Sequence, residues 1–205
     1  MIGSQTLAVY IDRLASGDPT PGGGAAGAVH AAQGAALIAM VARFTTGKRF
    51  AAHAELVSRI SASADAQAEV ALQLADEVAF GQVIAAYRLP KASEEETTVR
   101  TQAIQESLIA AAEPPQRLVA VAGEIVSLGE QLVAVGNPNV ISDVAAAAEA
   151  ARAAAATARV NIEINLTGIS SADQAAPLHR AVADADAVIA TSEALADRVR
   201  QQILA

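Results

Sequence analysis

The feature that most constrains the fold is a run without charge, from Ala25 to Ala42, built almost wholly of small and aliphatic residues. Only His30 and Gln33 interrupt it with larger polar side chains. Alanine is the best helix former and permits close helix–helix packing, so the run predicts a helix buried on most of its sides. The run approaches the length of a membrane span, but Ala and Gly drive insertion weakly. We therefore expect a buried helix and no membrane.

Pro21, Gly22, Gly23 and Gly24 lead into this helix. Proline restricts φ, whereas glycine opens further backbone angles and lets another group approach the main chain closely. The N-terminus of a helix also carries unpaired N–H groups and a partial positive charge. Two interpretations stay open: a flexible helix start that allows tight packing, or a stretch of bare backbone for a ligand. The spacing is that of neither a P-loop nor a dinucleotide fingerprint.

Composition excludes several classes of protein. The net charge of −8 and the absence of a basic stripe argue against nucleic acid. The chain has no cysteine, so it offers neither a disulfide nor a cysteine-based metal site. The first residues lack the basic segment of a signal peptide, and we expect a cytoplasmic protein. Aromatic residues make up only 2% and alanine dominates, which favours an all-α fold.

Apolar periodicity and breaker residues predict one all-α domain over residues 1–205, a single helical bundle with long antiparallel helices. Ser93 and Glu96 form a capping box, and Ser171 with Gln174 caps the last helix. No convincing strand is seen. A helical seam at each end of the chain leaves room for a homodimer face. The predicted helices cover residues 4–15, the glycine segment to about 46, 51–89, 94–113, 118–135 as part of a fifth helix, 139–166 and 172 to the end.

Asp76 is the first candidate for chemistry, because helical spacing places it on an apolar surface with Phe80, Val83 and Tyr87. A carboxylate among apolar neighbours is costly unless paired, and its pKa is expected to rise. Such a group can exchange protons near neutral pH. The alternative is an ordinary ion-paired or solvent-edge carboxylate beside Glu77.

Other polar residues admit both a structural and a functional interpretation. Lys48 and Arg49 follow a helix C-terminus, where cations are favourable, but they also offer a handle for an anionic ligand. Four polar residues surround a predicted helix start, where their side chains can cap the helix. They are Asn137, Asn139, Ser142 and Asp143. The three histidines, His30, His53 and His179, are widely spaced and are interpreted as structural or surface residues, and no metal site is implied.

Asn161 and Asn165 are spaced i, i+4, so both face one cleft if their segment is helical.

These motifs occur in an order that resembles the cyclodeaminase/cyclohydrolase family of folate one-carbon metabolism. That family includes the C-terminal domain of formiminotransferase-cyclodeaminase and stand-alone methenyltetrahydrofolate cyclohydrolases. The resemblance covers nearly the whole chain. It rests on Pro21-Gly22-Gly23-Gly24, Met40-Val41, Thr45-Thr46-Gly47-Lys48, Asp76 with Ala79-Phe80, Leu89-Pro90-Lys91 with Glu95-Glu96 and Arg100, Gly136-Asn137 with Ser142-Asp143, and Asn161-Ile162 with Ile164-Asn165-Leu166.

The resemblance implies an all-α homodimer that binds tetrahydrofolate between helices and needs no cofactor beyond this carrier. Asp76 and Asp143 inherit the catalytic acidic roles. Lys48, Lys91 and Arg100 are expected to meet the glutamate tail of the folate. The remaining substrate-binding residues implied are Pro21, Gly22, Gly23, Gly24, Asn137, Asn161 and Asn165.

The chain departs from the family pattern at two positions. Ala25 stands where members often have serine, and Leu74 stands where many carry a second acid. A mechanism that needs one carboxylate is unaffected. We therefore expect a methenyltetrahydrofolate cyclohydrolase. The alternatives are a formiminotetrahydrofolate cyclodeaminase that releases ammonia, and a non-catalytic bundle that binds a folate or a protein.

Overall fold

The computed structural model describes residues 2–75 and 79–205, and within these ranges all regular secondary structure is helical. The predicted all-α fold is thereby confirmed. Seven α-helices occur in the described residues: α1 Leu7–Leu14, α2 Gly23–Phe44, α3 Ala54–Ala75, α4 Ala79–Tyr87, α5 Glu94–Val135, α6 Ser142–Leu166 and α7 Ala172–Leu204. Short 3₁₀ helices cover Ile2–Ser4, Lys48–His53 and Pro138–Val140.

The core is centred on α2, which packs against α3, α5 and α6, while α6 also packs against α5 and α7. Half of α2 is buried, as the uncharged run predicted. Alanines form one buried face of α6, from Ala147 to Ala158, and this small surface lets α2 and α6 approach closely. A Cβ added at Gly34 would lie 3.1 Å from the carbonyl oxygen of Ala147.

Two of the described helices, α2 and α5, are long and apolar enough to cross a membrane by length and composition alone. Half of the apolar window in each is buried inside the protein. The core helix of a soluble protein has the same properties, so this finding is weak support for a membrane span.

The predicted caps are confirmed. Ser93 accepts a hydrogen bond from the Glu96 N–H at 3.1 Å, and the Glu96 carboxylate accepts one from the Ser93 N–H at 3.2 Å. The Ser171 hydroxyl accepts a hydrogen bond from the Gln174 N–H at the start of α7.

The predicted break at Pro114 and Pro115 is wrong, because α5 runs through both prolines as one helix of 42 residues. Prolines remove backbone donors and strain a helix interior, but buried residues on both sides hold this helix in place, among them Ala112 and Leu118. Tertiary packing has overridden the local signal. The predicted helix over 51–89 is described only as α3 and α4, and residues 76–78 between them lie outside the described ranges.

Candidate functional site

A cavity of about 720 Å³ opens where the start of α2, the end of α3, α4, the middle of α5 and the end of α6 converge. Its volume is within the range of small-molecule sites. Most of its wall is apolar, and the described lining contains one charged side chain, Arg13. The apolar wall includes Ile2, Pro19, Ala28, Leu74, Ala75, Val83, Leu108, Ala111, Pro114, Pro115, Leu118 and Ile164.

Gly22–Gly24 form one edge of this cavity, and Pro21, which is buried, lines the cavity beside them. Gly22 is the N-cap of α2 and supplies no side chain to its first turn. Gly22 has φ −132°, and the only described glycine with positive φ is Gly47. The expectation that these glycines provide special backbone angles is therefore wrong. Their contribution at this edge is the missing Cβ.

The space around these glycines bears on the two interpretations left open by the sequence. A Cβ added at Gly23 would meet no atom within 4 Å. Packing glycines behave differently: a Cβ at Gly27 would lie 3.0 Å from Thr157 Cγ2 and 3.3 Å from Leu118 Cδ2. Close helix packing thus requires Gly27 but not Gly23. The bare backbone at Gly23 faces open space at the cavity edge, as a ligand surface would.

Asn161 and Asn165 both line the cavity from the last turns of α6, so the prediction that they share one cleft is confirmed. The Asn165 amide nitrogen donates to the Asn161 backbone carbonyl at 2.8 Å, which leaves the Asn165 side-chain oxygen as an acceptor. The Asn161 amide nitrogen lies 3.7 Å from the position of a Cβ built on Gly24. Amide groups and glycine backbone therefore meet at one corner of the cavity.

Arg100 supports the opposite wall instead of lining it. Its guanidinium lies 5.7 Å from the centroid of the Tyr87 ring and donates to the Tyr87 carbonyl at 3.2 Å. Tyr87 lines the cavity from the end of α4. Arg100 thus joins α5 to α4 and holds Tyr87 in place. Lys91 lies exposed in the connection between these two helices and is not part of the lining.

A second polar clamp holds the turn between α6 and α7. The Gln105 side chain donates to the Gly168 carbonyl at 2.8 Å and accepts from the Ser170 N–H at 2.9 Å. A Cβ at Gly168 would lie 2.6 Å from Leu108, so the turn rests directly on α5. Thr167, in the same turn, lines the cavity. Gln105 therefore fixes part of the cavity wall without reaching the interior.

Arg13 was not among the predicted site residues. It lies in the last turn of α1, before the glycine segment, with an exposed side chain that lines the cavity. A lone arginine in a short amphipathic helix gives no sequence signal of its own. Its nearness to Pro21–Gly24 along the chain was the available clue.

Asn137, Lys48 and Asp143 do not line this cavity and lie toward the opposite end of the bundle. Asp143 and Asn161 are separated by 18 residues of α6, which is roughly 27 Å at 1.5 Å per residue. Within one chain Asp143 is therefore remote from the cavity, while Asp76 lies outside the described residues. Their catalytic roles stay predictions.

Asn137 is engaged in a structural network. Its backbone N–H donates to the buried Thr45 hydroxyl at 3.0 Å, and its side-chain nitrogen donates to the Phe44 carbonyl at 2.8 Å. Its side-chain oxygen accepts from the Asn139 N–H at 3.1 Å. Asn137 thus ties the end of α2 to the turn between α5 and α6, in agreement with the capping interpretation.

Asp76 itself lies outside the described residues, as does its neighbour Glu77. The two residues that precede it, Leu74 and Ala75, are buried and line the cavity. Both departures from the family pattern also fall at this site, because Ala25 and Leu74 each contribute to the wall.

Within the described ranges, no three side chains of His, Cys, Asp and Glu are grouped to hold a metal ion. The three histidines are exposed, as the surface interpretation expected.

The fold and cavity define a helical-bundle protein with a described cavity that combines bare glycine backbone, a pair of asparagines and apolar walls. The formiminotransferase-cyclodeaminase family model matches residues 6–184. The chain belongs to this family, and the resemblance seen in the sequence is confirmed.

Individual relatives agree with this assignment. The chain is 35% identical over 206 residues to a methenyltetrahydrofolate cyclohydrolase of Methylorubrum extorquens, with 99% of this chain and 98% of that protein covered. It is 34% identical over 164 residues to formimidoyltransferase-cyclodeaminase of Rattus norvegicus, covering 78% of this chain and 30% of that longer protein. The crystal structure of formiminotetrahydrofolate cyclodeaminase from Thermotoga maritima matches over the full length of both chains, with a TM-score of 0.88 and 28% identity.

Proposed function

We propose that this protein is a methenyltetrahydrofolate cyclohydrolase, which hydrolyses 5,10-methenyltetrahydrofolate to 10-formyltetrahydrofolate. The observation that carries the proposal is the cavity beside Gly22–Gly24 and the asparagine pair. It occurs in a chain that is similar to a cyclohydrolase over nearly the full length of both proteins.

Each part of a folate has a counterpart in the cavity. The flat ring system lies against the backbone of Gly22–Gly24, where no Cβ intervenes. The amide groups of Asn161 and Asn165 supply donors and acceptors for the polar edge of the pterin. The guanidinium of Arg13 is placed to meet a glutamate carboxylate, because it is the charged group of the described lining.

The reaction needs one group that can accept and return a proton. Water adds to the amidinium carbon that bridges N5 and N10, and a base removes the proton from this water. The bond between that carbon and N5 then breaks as N5 takes up a proton. The hydroxyl on the carbon loses its proton to solvent, and a formyl group remains on N10. One carboxylate with a raised pKa can perform both transfers in turn.

We assign this role to Asp76. The described lining contains neither a carboxylate nor a histidine, while Leu74 and Ala75, which directly precede Asp76, belong to the wall. Asp143 is too far along α6 to act with Asn161 in the same chain, so the mechanism proposed for this cavity uses one acid.

The test is turnover of the purified protein with 5,10-methenyltetrahydrofolate, followed by loss of the methenyl absorbance. We expect Asp76→Asn to lower kcat about 100-fold, the usual scale for a general acid–base group, with an unchanged circular dichroism spectrum. Glu69→Gln is the matched control, because Glu69 is an exposed acid on α3 that does not line the cavity. Wild-type rates in Asp76→Asn would remove Asp76 from the mechanism.

A formiminotetrahydrofolate cyclodeaminase is the second candidate, favoured by the structural match to the Thermotoga maritima enzyme. In that reaction N10 attacks the formimino carbon and ammonia leaves. Ammonia release and gain of the methenyl absorbance from 5-formiminotetrahydrofolate would identify it. Folate binding without turnover of either substrate would instead favour the non-catalytic bundle, to which Ala25 and Leu74 in the wall lend support.

The proposal includes a homodimer in the cytoplasm. Exposed apolar side chains on α1 support the homodimer, since Leu7, Val9 and Ile11 have 69%, 47% and 50% of their surface accessible. Light scattering coupled to size-exclusion chromatography would measure the mass, and a monomer at micromolar concentration would contradict this part of the proposal.

A further inference from the structure

The two prolines inside α5 deprive one backbone carbonyl of both of its usual helical donors. In an α-helix the carbonyl of residue i accepts the N–H of residue i+4, and in a 3₁₀ turn that of residue i+3. For Ala111 these residues are Pro115 and Pro114, and neither has an N–H. The next N–H belongs to Gln116, whose α-helical acceptor is the Ala112 carbonyl. The Gln116 side-chain nitrogen also donates to that carbonyl, at 3.0 Å.

The carbonyl of Ala110 is in a different situation, although it also loses its i+4 donor. Glu113, its i+3 residue, keeps its N–H, and Ala110 is exposed, so water can reach its carbonyl. Ala111 is buried, with 9% of its surface accessible, and it lines the cavity together with Pro114 and Pro115. A buried carbonyl is costly when it has no donor. A donor inside the cavity would therefore satisfy the Ala111 carbonyl.

We propose that the Ala111 carbonyl is a substrate-recognition acceptor that receives a hydrogen bond from an N–H of the bound pterin ring. This inference rests on the proposed function and deepens it. A tetrahydropterin presents several N–H donors: its 2-amino group, N3–H and N8–H. Pro114 and Pro115 thus leave the Ala111 carbonyl oxygen in the cavity wall available to accept a hydrogen bond from the ligand.

The test restores the missing helical donor. Pro115→Ala and Pro115→Val each supply an N–H that pairs with the Ala111 carbonyl and withdraws it from the ligand. Pro114→Ala is the matched control, because it also removes a cavity-lining ring. In the α-helical geometry of α5 its N–H pairs with the Ala110 carbonyl at i−4, and the Ala111 carbonyl keeps no i+4 donor. Helix propensity rises in Pro114→Ala and Pro115→Ala, so we expect both to fold, and thermal unfolding verifies this.

Binding of tetrahydrofolate is measured by calorimetry under anaerobic conditions. We expect both Pro115 variants to bind about tenfold more weakly than wild type, the scale of leaving one donor unpaired in a buried site. Pro114→Ala should lose less than threefold, because only a ring contact is removed. Pro115→Val retains apolar volume, so its affinity separates the loss of the free carbonyl from the loss of the proline ring.

Several results would overturn the inference. Wild-type affinity in both Pro115 variants, recovery in Pro115→Val alone, or equal weakening in Pro114→Ala and the Pro115 variants would each show that the free carbonyl does not bind the ligand. These results leave the proposed function standing. Failure of wild-type protein to bind tetrahydrofolate and to turn over either substrate would refute both proposals.

Discussion

Two glycines of α2 allow substrate binding and helix packing to be tested separately. Substitution by alanine should raise KM without loss of stability at one of them, and should lower stability without a change in KM at the other. Gly23 begins the helix and lines the cavity, whereas Gly34 is buried against α6. The expected changes follow from what a Cβ would meet at each position.

Gly23→Ala should not destabilise the protein. The new Cβ has no atom within 4 Å, and the described glycine with positive φ is Gly47, not Gly23. Replacing glycine by alanine at a compatible site raises the free energy of unfolding by about 0.5 kcal/mol. The methyl group would, however, stand between the backbone and a folate that rests on it. An overpacked contact costs about 1–3 kcal/mol, so KM should rise about tenfold.

Gly34→Ala should do the reverse. Its Cβ would lie 3.1 Å from the Ala147 carbonyl oxygen and 3.4 Å from the Ala150 Cβ, so the two helices must separate slightly. Overpacking of about 1–3 kcal/mol, reduced by the alanine gain, leaves a net loss near 1 kcal/mol. That loss lowers Tm by about 2–4 °C for a chain of this size, while KM stays within twofold of wild type.

The assay pairs urea unfolding, followed by circular dichroism, with initial rates of loss of the methenyl absorbance. A folded Gly23→Ala protein with a wild-type KM would refute the argument that bare backbone contacts the folate. An equal rise of KM in Gly34→Ala would show that the effect is a general distortion of α2.

The remaining predictions concern three residues whose roles were shown only by the structure. Arg13→Gln should raise KM for methenyltetrahydrofolate about tenfold with little change in kcat. Arg180→Gln makes the same charge change at an exposed position of α7 outside the cavity and should leave KM unchanged. Equal KM values in the two variants would contradict the role assigned to Arg13. Tyr10 has a buried hydroxyl that meets no partner among the described residues, and Tyr10→Phe should raise the free energy of unfolding by about 1 kcal/mol in urea titrations. Burial also raises the pKa of Tyr10, so the unfolded chain ionises first and wild type loses stability as the pH rises above about 10, a loss that Tyr10→Phe should reduce. Asn137→Ala should lower the free energy of unfolding by about 1 kcal/mol, since the bond to the Phe44 carbonyl is lost, and unchanged stability with a raised KM would instead restore its predicted role in substrate binding.

The features that the sequence predicted correctly depend on residues close together in the chain. The capping box at Ser93 depends on residues within one turn, and the shared face of Asn161 and Asn165 depends only on helical periodicity. The uncharged composition of α2 likewise determined that this helix would be buried. The motif order along the chain was sufficient to indicate the family.

The tertiary structure determined which neighbours each helix and each residue contacts. Gly23 and Gly34 are both glycines of α2, so the residue type does not distinguish them. Only their neighbours in the structure show that Gly23 faces open space and Gly34 faces α6. Local rules ended a helix at Pro114, but contacts from distant helices keep α5 continuous and place that proline in the cavity wall.

The distribution of polar residues was also a tertiary outcome. Asn137 and Asn161 carry the same chemical groups, but they lie toward opposite ends of the bundle, and only Asn161 reaches the cavity. Arg13 enters the lining because α1 ends beside the start of α2. Periodicity therefore determined which face of each helix is apolar or polar, whereas the packing of faces far apart in the chain determined which polar groups share a site.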